Sequence, residues 1–354
     1  MLKEYIHLSP KHQQEILRDY ASESKKDPRI VEKDIWVCWV LKQLFEMPDR
    51  LDMAFKGGTS LSKVYSIIDR FSEDIDITLD YRQFNTFSDL NMDLNQLGRN
   101  ARKRLDVALK LEVKSYTENI VAPYLREMVS GLRRSKNYEV KVSENGECLY
   151  FTYPSAVGGR GDYMLDHVLI EFGGRNIIDP NENWIVKPYI ADVADVFEYP
   201  SSNITVLSPE RTFWEKATLI HVECHRGVRE SAERLSRHWF DLMAFGNHST
   251  GLNAIQNIIL LKDVVALKSV FFNAGYANYD QCLAGNFLLI PDQEGLTHLE
   301  HDFNKMNDAK MFYGSSVSFT EMMAAVKEIE DKVNESIKKN SLLNESKILV
   351  KAVL

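Results

Sequence analysis

Two carboxylates separated by a single isoleucine, Asp74 and Asp76, stand in the stretch "FKGGTSLSKVYSIIDRFSEDIDITLD" (residues 55–80). They follow a glycine pair, Gly57-Gly58, and two hydroxyls, Thr59 and Ser60. On a strand, side chains at i and i+2 share a face, with Cα atoms about 6.5–7 Å apart. Asp74 and Asp76 therefore point one way, and Ile75 and Ile77 point the other way into a core. Like carboxylates at that spacing repel unless a positive group lies between them. Hard divalent cations take oxygen ligands, and Mg²⁺ commonly uses one or two carboxylates plus substrate phosphates. Such an ion polarises a phosphoryl group and activates an attacking oxygen. The glycines would let the backbone approach a phosphate, and the helix N-terminus behind them would add free N–H groups. Thr59 and Ser60 would add hydroxyl donors. The bland alternative is a solvated strand face after a plain turn.

The elements that must position these groups are legible from periodicity. "LDMAF" reads as a strand, "TSLSKVYSIID" as a helix with Leu61, Val64, Tyr65 and Ile68 on one face, and "DIDITL" as a strand. Upstream, "PKHQQEILRDYASES" and "RIVEKDIWVCWVLKQLF" have helical period. Downstream, residues 88–132 look helical. "NYEVKVSENGECLYFTYP" is a hairpin about Asn145-Gly146. "HVLIEFGG" and "SNITVL" are further strands. From Ser208 the character changes: Ser208 is an N-cap, Pro209 opens a helix, and the remainder is mostly helical, ending in a polar helix from about Ser318. The expected fold class is therefore α+β, a mixed β-sheet with flanking helices over residues 1–205, followed by a mainly α-helical domain over residues 206–354.

Composition narrows the partners. The chain has 354 residues, 44% of them hydrophobic and 27% charged, as ordinary globular domains have. Its net charge of −8 confines any nucleic-acid contact to local basic patches. Three clusters qualify, Arg99 to Arg104, Arg133 to Lys141 and Arg226 to Arg237, and each is equally well a solvated face. The scattered cysteines (Cys38, Cys148, Cys224 and Cys282) suggest reduced thiols. With no signal-peptide pattern and no membrane-length apolar run, the expectation is a cytoplasmic protein without a membrane partner.

"KGGTSLSK" followed by "RFSEDIDI" resembles the first motif of the polymerase-β-type nucleotidyltransferase superfamily, in its AbiEii/AbiGii toxin branch. "VEKDIWVCWVLKQLF", "LIEFGGR", "LSPERTFWEKATLIH" and "SRHWFDL" resemble that branch's other motifs, so the likeness spans roughly residues 30–245. The resemblance implies a polymerase-β-like core and metal-dependent transfer of a nucleotide from an NTP. It also implies the biology of a toxin from a type IV-style toxin–antitoxin or phage-abortive-infection system. The implied cofactor is Mg²⁺ or Mn²⁺, with the NTP as co-substrate. The donor would be GTP or a pyrimidine nucleotide and the acceptor a tRNA, with a cognate antitoxin encoded nearby. Asp74 and Asp76 would be catalytic metal ligands, and Gly57, Gly58, Thr59 and Ser60 would hold the nucleotide.

The remaining candidates each have a plain alternative. Glu171 could be a third metal ligand, an edge-strand glutamate or a partner for Arg175. The resemblance assigns Lys216 to the triphosphate, a task suited to a flexible point charge. It makes Asp241 a functional acid that orients Lys216 or the nucleotide. Arg234, Arg237 and Asp241 share a helix face, so Arg237–Asp241 could equally be a surface ion pair. Arg70 could support the site, meet a phosphate, or pair with Glu73 or Asp74. Glu32, Lys33 and Asp34 open an apolar helix with no chemical role that the sequence reveals. His221, Cys224 and His225 lack the spacing of a zinc site. Two other functions stay open: the same chemistry on a small molecule or protein side chain, and a non-catalytic nucleotide-binding or partner-binding module.

Overall fold

The computed structural model describes residues 2–88, 94–158, 165–231, 233–309, 311–312 and 317–353. The chain forms two compact units. One comprises Met1–Val64, Ser72–Met92 and Gly98–Leu207; the other comprises Tyr65–Phe71, Asp93–Leu97 and Ser208–Leu354.

The first unit is built on a mixed sheet of seven strands: β1 (Met53–Lys56), β2 (Ile75–Asp80), β3 (Glu139–Val142), β4 (Cys148–Thr152), β5 (His167–Asn176), β6 (Asn181–Val186) and β7 (Ser202–Leu207), in the order β3-β4-β5-β2-β1-β7-β6. β2 runs antiparallel to β1 and parallel to β5. Register divides the residues between two faces. Leu149, Ile170 and Ile75 lie side by side on one face, as do Phe172, Ile77 and Phe55, all buried. Helix α2 (Pro28–Glu46) packs on this apolar face, with Trp39 stacked on Phe151 at 5.2 Å between centroids. α1 (Pro10–Ser24) precedes it, capped by the Ser9 hydroxyl, which accepts from the His12 N–H. The short α3 (Gly57–Lys63) links β1 to β2, and α4 (Arg99–Tyr116) lies against β5, where Gly174 gives room to Val113. The hairpin forms about Asn145-Gly146, with Gly146 at φ +75°. The exposed edge strand β6, "NENWIV", was not anticipated from the sequence, because its burial shows no alternation.

Two expectations near the glycine pair need correction. The helix expected to run through residue 69 ends at Lys63, and Ser66 adopts a left-handed φ of +51° that no helix tolerates. The next residues, Tyr65–Phe71, belong to the second unit, where Arg70 bridges to Phe312. Asp74 lies just before the strand, not within it.

The second unit is helical: α5 (Pro209–Arg226), α6 (Arg237–Gly246), α7 (Ser249–Gln256), α8 (Ile258–Phe271), α9 (Tyr279–Leu283), α10 (Gln293–Asp308) and α11 (Phe319–Val353). Ser208 caps α5 by accepting from the Arg211 N–H at 3.2 Å, as its sequence predicts. Ser318 and Glu321 form a reciprocal capping box before α11. Trp214 and Trp239 fill the core, and each donates its indole N–H to a buried carbonyl, of Ala254 and Leu289. Among the described residues no helix is long and apolar enough to cross a membrane. All four cysteines are free thiols.

Candidate functional site

In the first unit, strand register assembles a polar row on the face opposite the core. Lys56 lies directly across from Asp76, Asp76 beside Glu171, and Glu171 across from Cys148. Residues paired this way present their side chains to the same face. Gly57 then turns the chain at φ +78°, and a Cβ there would lie 1.9 Å from Asp76 Oδ2. The Asp76 carboxylate therefore packs over bare glycine backbone. No other residue allows both the left-handed turn and this approach.

The hydroxyls behind the turn are engaged within the fold. Thr59 Oγ1 donates to the Asp74 carbonyl at 2.6 Å and lies 2.9 Å from the Ser72 hydroxyl. Ser60 donates to the Gly57 carbonyl at 2.9 Å. Both side chains are buried, so they tie the turn to the acid-bearing segment. Arg175, a candidate partner for Glu171, meets Asp106 and Glu147. Glu171 lies 4.0 Å from Cys148 Sγ. Burial, then Glu171 and Glu147, hold the Cys148 thiol above its ordinary pKa.

A divalent cation suits part of this arrangement. The donor set is hard oxygen, and the carboxylate of Asp76 sits in a cradle that a Cβ would fill. Among the described residues, no three His, Cys, Asp or Glu side chains converge as a cluster able to hold a metal. Asp76 offers one such oxygen ligand, and Glu171 lies beside it in register. The row's fourth member, Lys56, escaped sequence reading. It directly precedes the glycine pair, but only register reveals that it faces Asp76.

In the second unit, Arg70, Lys216 and Asp241 come together. Arg70 grips Asp241 with two parallel bonds, Nε to Oδ1 at 2.6 Å and Nη2 to Oδ2 at 2.8 Å. Lys216 Nζ lies 2.8 Å from Asp241 Oδ2, from one turn of α5 to one turn of α6. All three are buried. Arg70 thus pairs with Asp241 and not with Glu73 or Asp74. Asp241's ion pairs lie off its own helix face, where Arg237 had been the candidate partner. Burial alone would raise the Asp241 pKa, but Arg70 and Lys216 outweigh it and hold the carboxyl below the usual range. Burial lowers the Lys216 pKa; Asp241 opposes that, and Arg70 and Arg237 reinforce it. Two cations, Arg70 and Lys216, thus meet one carboxylate, and the excess positive charge would suit an anion such as a phosphate. His238 sits in the same field, and burial, Lys216 and Arg237 keep its imidazole neutral.

His221 is a packing residue. Its Nε2 donates to the Asn278 carbonyl at 3.1 Å and its Nδ1 accepts from the Leu288 N–H at 3.0 Å.

The model of the family described as "Nucleotidyl transferase AbiEii toxin, Type IV TA system" matches residues 39–330, most of the chain. The chain belongs to the AbiEii nucleotidyltransferase toxin family. The glycine turn, the carboxylates, Lys216 and Asp241 all fall inside the matched range. Among solved structures the chain is similar to MenT4, a nucleotidyltransferase toxin from Mycobacterium tuberculosis, at 16% identity over 88% of this chain and 92% of that one, with a TM-score of 0.41. No curated protein matches the sequence.

Proposed function

We propose that this AbiEii-family chain transfers a nucleoside monophosphate from an NTP to an acceptor hydroxyl, a tRNA 3′ end, and that it does so in the cytoplasm as a toxin of a phage-defence system. A separately encoded antitoxin silences it. The observation that carries this reading is the packing of the Asp76 carboxylate on Gly57, with Lys56 and Glu171 in register on either side.

Asp74 and Asp76 are the residues that would hold Mg²⁺ or Mn²⁺, which when bound neutralises triphosphate charge and polarises the α-phosphate. Gly57 and Gly58 offer bare backbone to the phosphates. Lys56 sets a positive charge beside Asp76. Lys216, oriented by Asp241, which Arg70 holds in turn, is assigned to the triphosphate; Arg237 adds to the field. The acceptor oxygen forms a bond to the α-phosphorus, the bond from the α-phosphorus to the bridging oxygen breaks, and pyrophosphate leaves with that electron pair. The acceptor proton passes to water. Such chemistry rests on positioning and charge stabilisation, with no covalent intermediate on the protein. GTP or a pyrimidine nucleotide is the donor in this reading.

Induction of the wild type in a host without the antitoxin should arrest growth, and Asp76→Ala at equal protein level should not. Equal toxicity of the two would sink the catalytic reading.

A further inference from the structure

The tripeptide Glu32-Lys33-Asp34, unassigned by the sequence, occupies one turn of α2, where successive side chains diverge by about 100°. Each reaches a different segment of the first unit. Glu32 accepts from the Ser155 hydroxyl at 2.5 Å and the Ala156 N–H at 2.6 Å. Lys33 forms a fully buried ion pair with Glu73, the residue before Asp74. Its Nζ also donates to the Leu165 carbonyl at 2.8 Å, just ahead of the strand that carries Glu171. Asp34 lies 2.5 Å from Lys63, the last residue of the helix that Gly57 opens, and accepts from the Tyr189 N–H at 2.8 Å.

We infer that Lys33 and Asp34 are positioning residues that set the glycine turn and the acid-bearing segment against one helix, fixing the distance between them. The inference rests on the reading that Asp74 and Asp76 carry the transfer. Lys33 and Glu73 are 1% and 3% exposed, so neither reaches a substrate. Stability does not account for them either, because an apolar pair of similar volume often folds as well or better than a buried ion pair. What the charges supply is a unique register: Lys33 holds Glu73, Asp34 holds Lys63, and Thr59 joins the two held segments through the Asp74 carbonyl. Groups standing behind a metal's ligands typically change its affinity by about 10–100-fold when removed.

The test replaces the pair with apolar residues, Lys33→Met with Glu73→Leu, in the full chain. Three quantities are read: the urea midpoint, Mn²⁺ binding by electron paramagnetic resonance with an unreactive NTP analogue present, and kcat and KM for nucleotide transfer. The expected result is a midpoint equal to or above the wild type's. Mn²⁺ affinity and kcat should each fall by about tenfold or more, with KM changed by less than about threefold. Mn²⁺ affinity and kcat within about threefold of the wild type in the stable double variant would overturn the inference. Should that variant not fold, Thr59→Val removes the tie to the Asp74 carbonyl, together with the contact to the Ser72 hydroxyl. The same loss of Mn²⁺ affinity then supports the inference, and wild-type affinity overturns it. Asp76→Asn in the same titration separates the two levels. If it binds Mn²⁺ as the wild type does, the metal reading itself fails, and the positioning role falls with it.

Discussion

Gly57→Ala probes the join between the turn and the acids most sharply. The residue sits at φ +78°, where a non-glycine residue costs about 1–2 kcal/mol. The added Cβ would lie 1.9 Å from Asp76 Oδ2, whereas real Cβ atoms essentially never come within 3.0 Å, so the carboxylate must retreat by about 1 Å. A misplacement of about 1 Å at a reacting centre costs about 100-fold in rate. The expected outcome is therefore a modest loss of stability, roughly 1–3 kcal/mol by urea unfolding, with a loss of about 100-fold in transfer from an α-phosphate-labelled NTP, measured where the variant is fully folded. Gly131→Ala is the control, because its nearest neighbour beyond the adjoining residues, the Met128 carbonyl, would be 3.9 Å from the new Cβ. It should leave both quantities unchanged. Transfer by Gly57→Ala within about threefold of the wild type would refute the argument that bare backbone under Asp76 is required.

Asp241→Asn leaves Arg70 and Lys216 buried beside a neutral amide, and a broken buried pair costs about 3–5 kcal/mol; the urea midpoint at pH 7 measures it. Because the folded-state pKa of Asp241 is depressed, its contribution is present above the ordinary carboxylate range and is lost as pH falls toward the folded value; the acid-side fall in wild-type stability should flatten in Asp241→Asn. Burial pushes the His221 pKa down to about 4, so a proton NMR titration should show that ring neutral through pH 6, and His221 should withdraw stability as pH falls from about 6.5 toward 4. Ser318→Ala removes a cap from α11 and should cost about 1 kcal/mol in urea unfolding, with transfer unaffected.

What could be read from the sequence was local. Ile75 and Ile77 alternate with Asp76 within a few residues, and the Ser208-Pro209 cap adjoins its helix, so the acid-bearing strand and the start of α5 were legible. The supports were not. Lys33 and Glu73 are separated by 40 positions, and Arg70 and Asp241 by 171. Nothing in one charged residue announces which distant charge will be buried with it. Register was equally hidden: Lys56 opposite Asp76 depends on how β1 and β2 pair, and a slip of one residue would have turned Lys56 to the core face. Helical period continues past Lys63, yet α3 ends there, because Ser66 takes a left-handed conformation that periodicity does not register. The hydroxyls of Thr59 and Ser60 adjoin the turn in the sequence, and the fold draws on both for its own hydrogen bonds, which no local pattern shows.

The most direct measurement of the central claim is a transfer assay. Purified protein is incubated with Mg²⁺, total RNA and each of the four α-phosphate-labelled NTPs in turn, with Asp76→Ala in parallel. The account predicts that label from one or a few of the nucleotides enters RNA with the wild type and not with Asp76→Ala. Equal labelling by both proteins, or label entering only protein or small molecules, would contradict it.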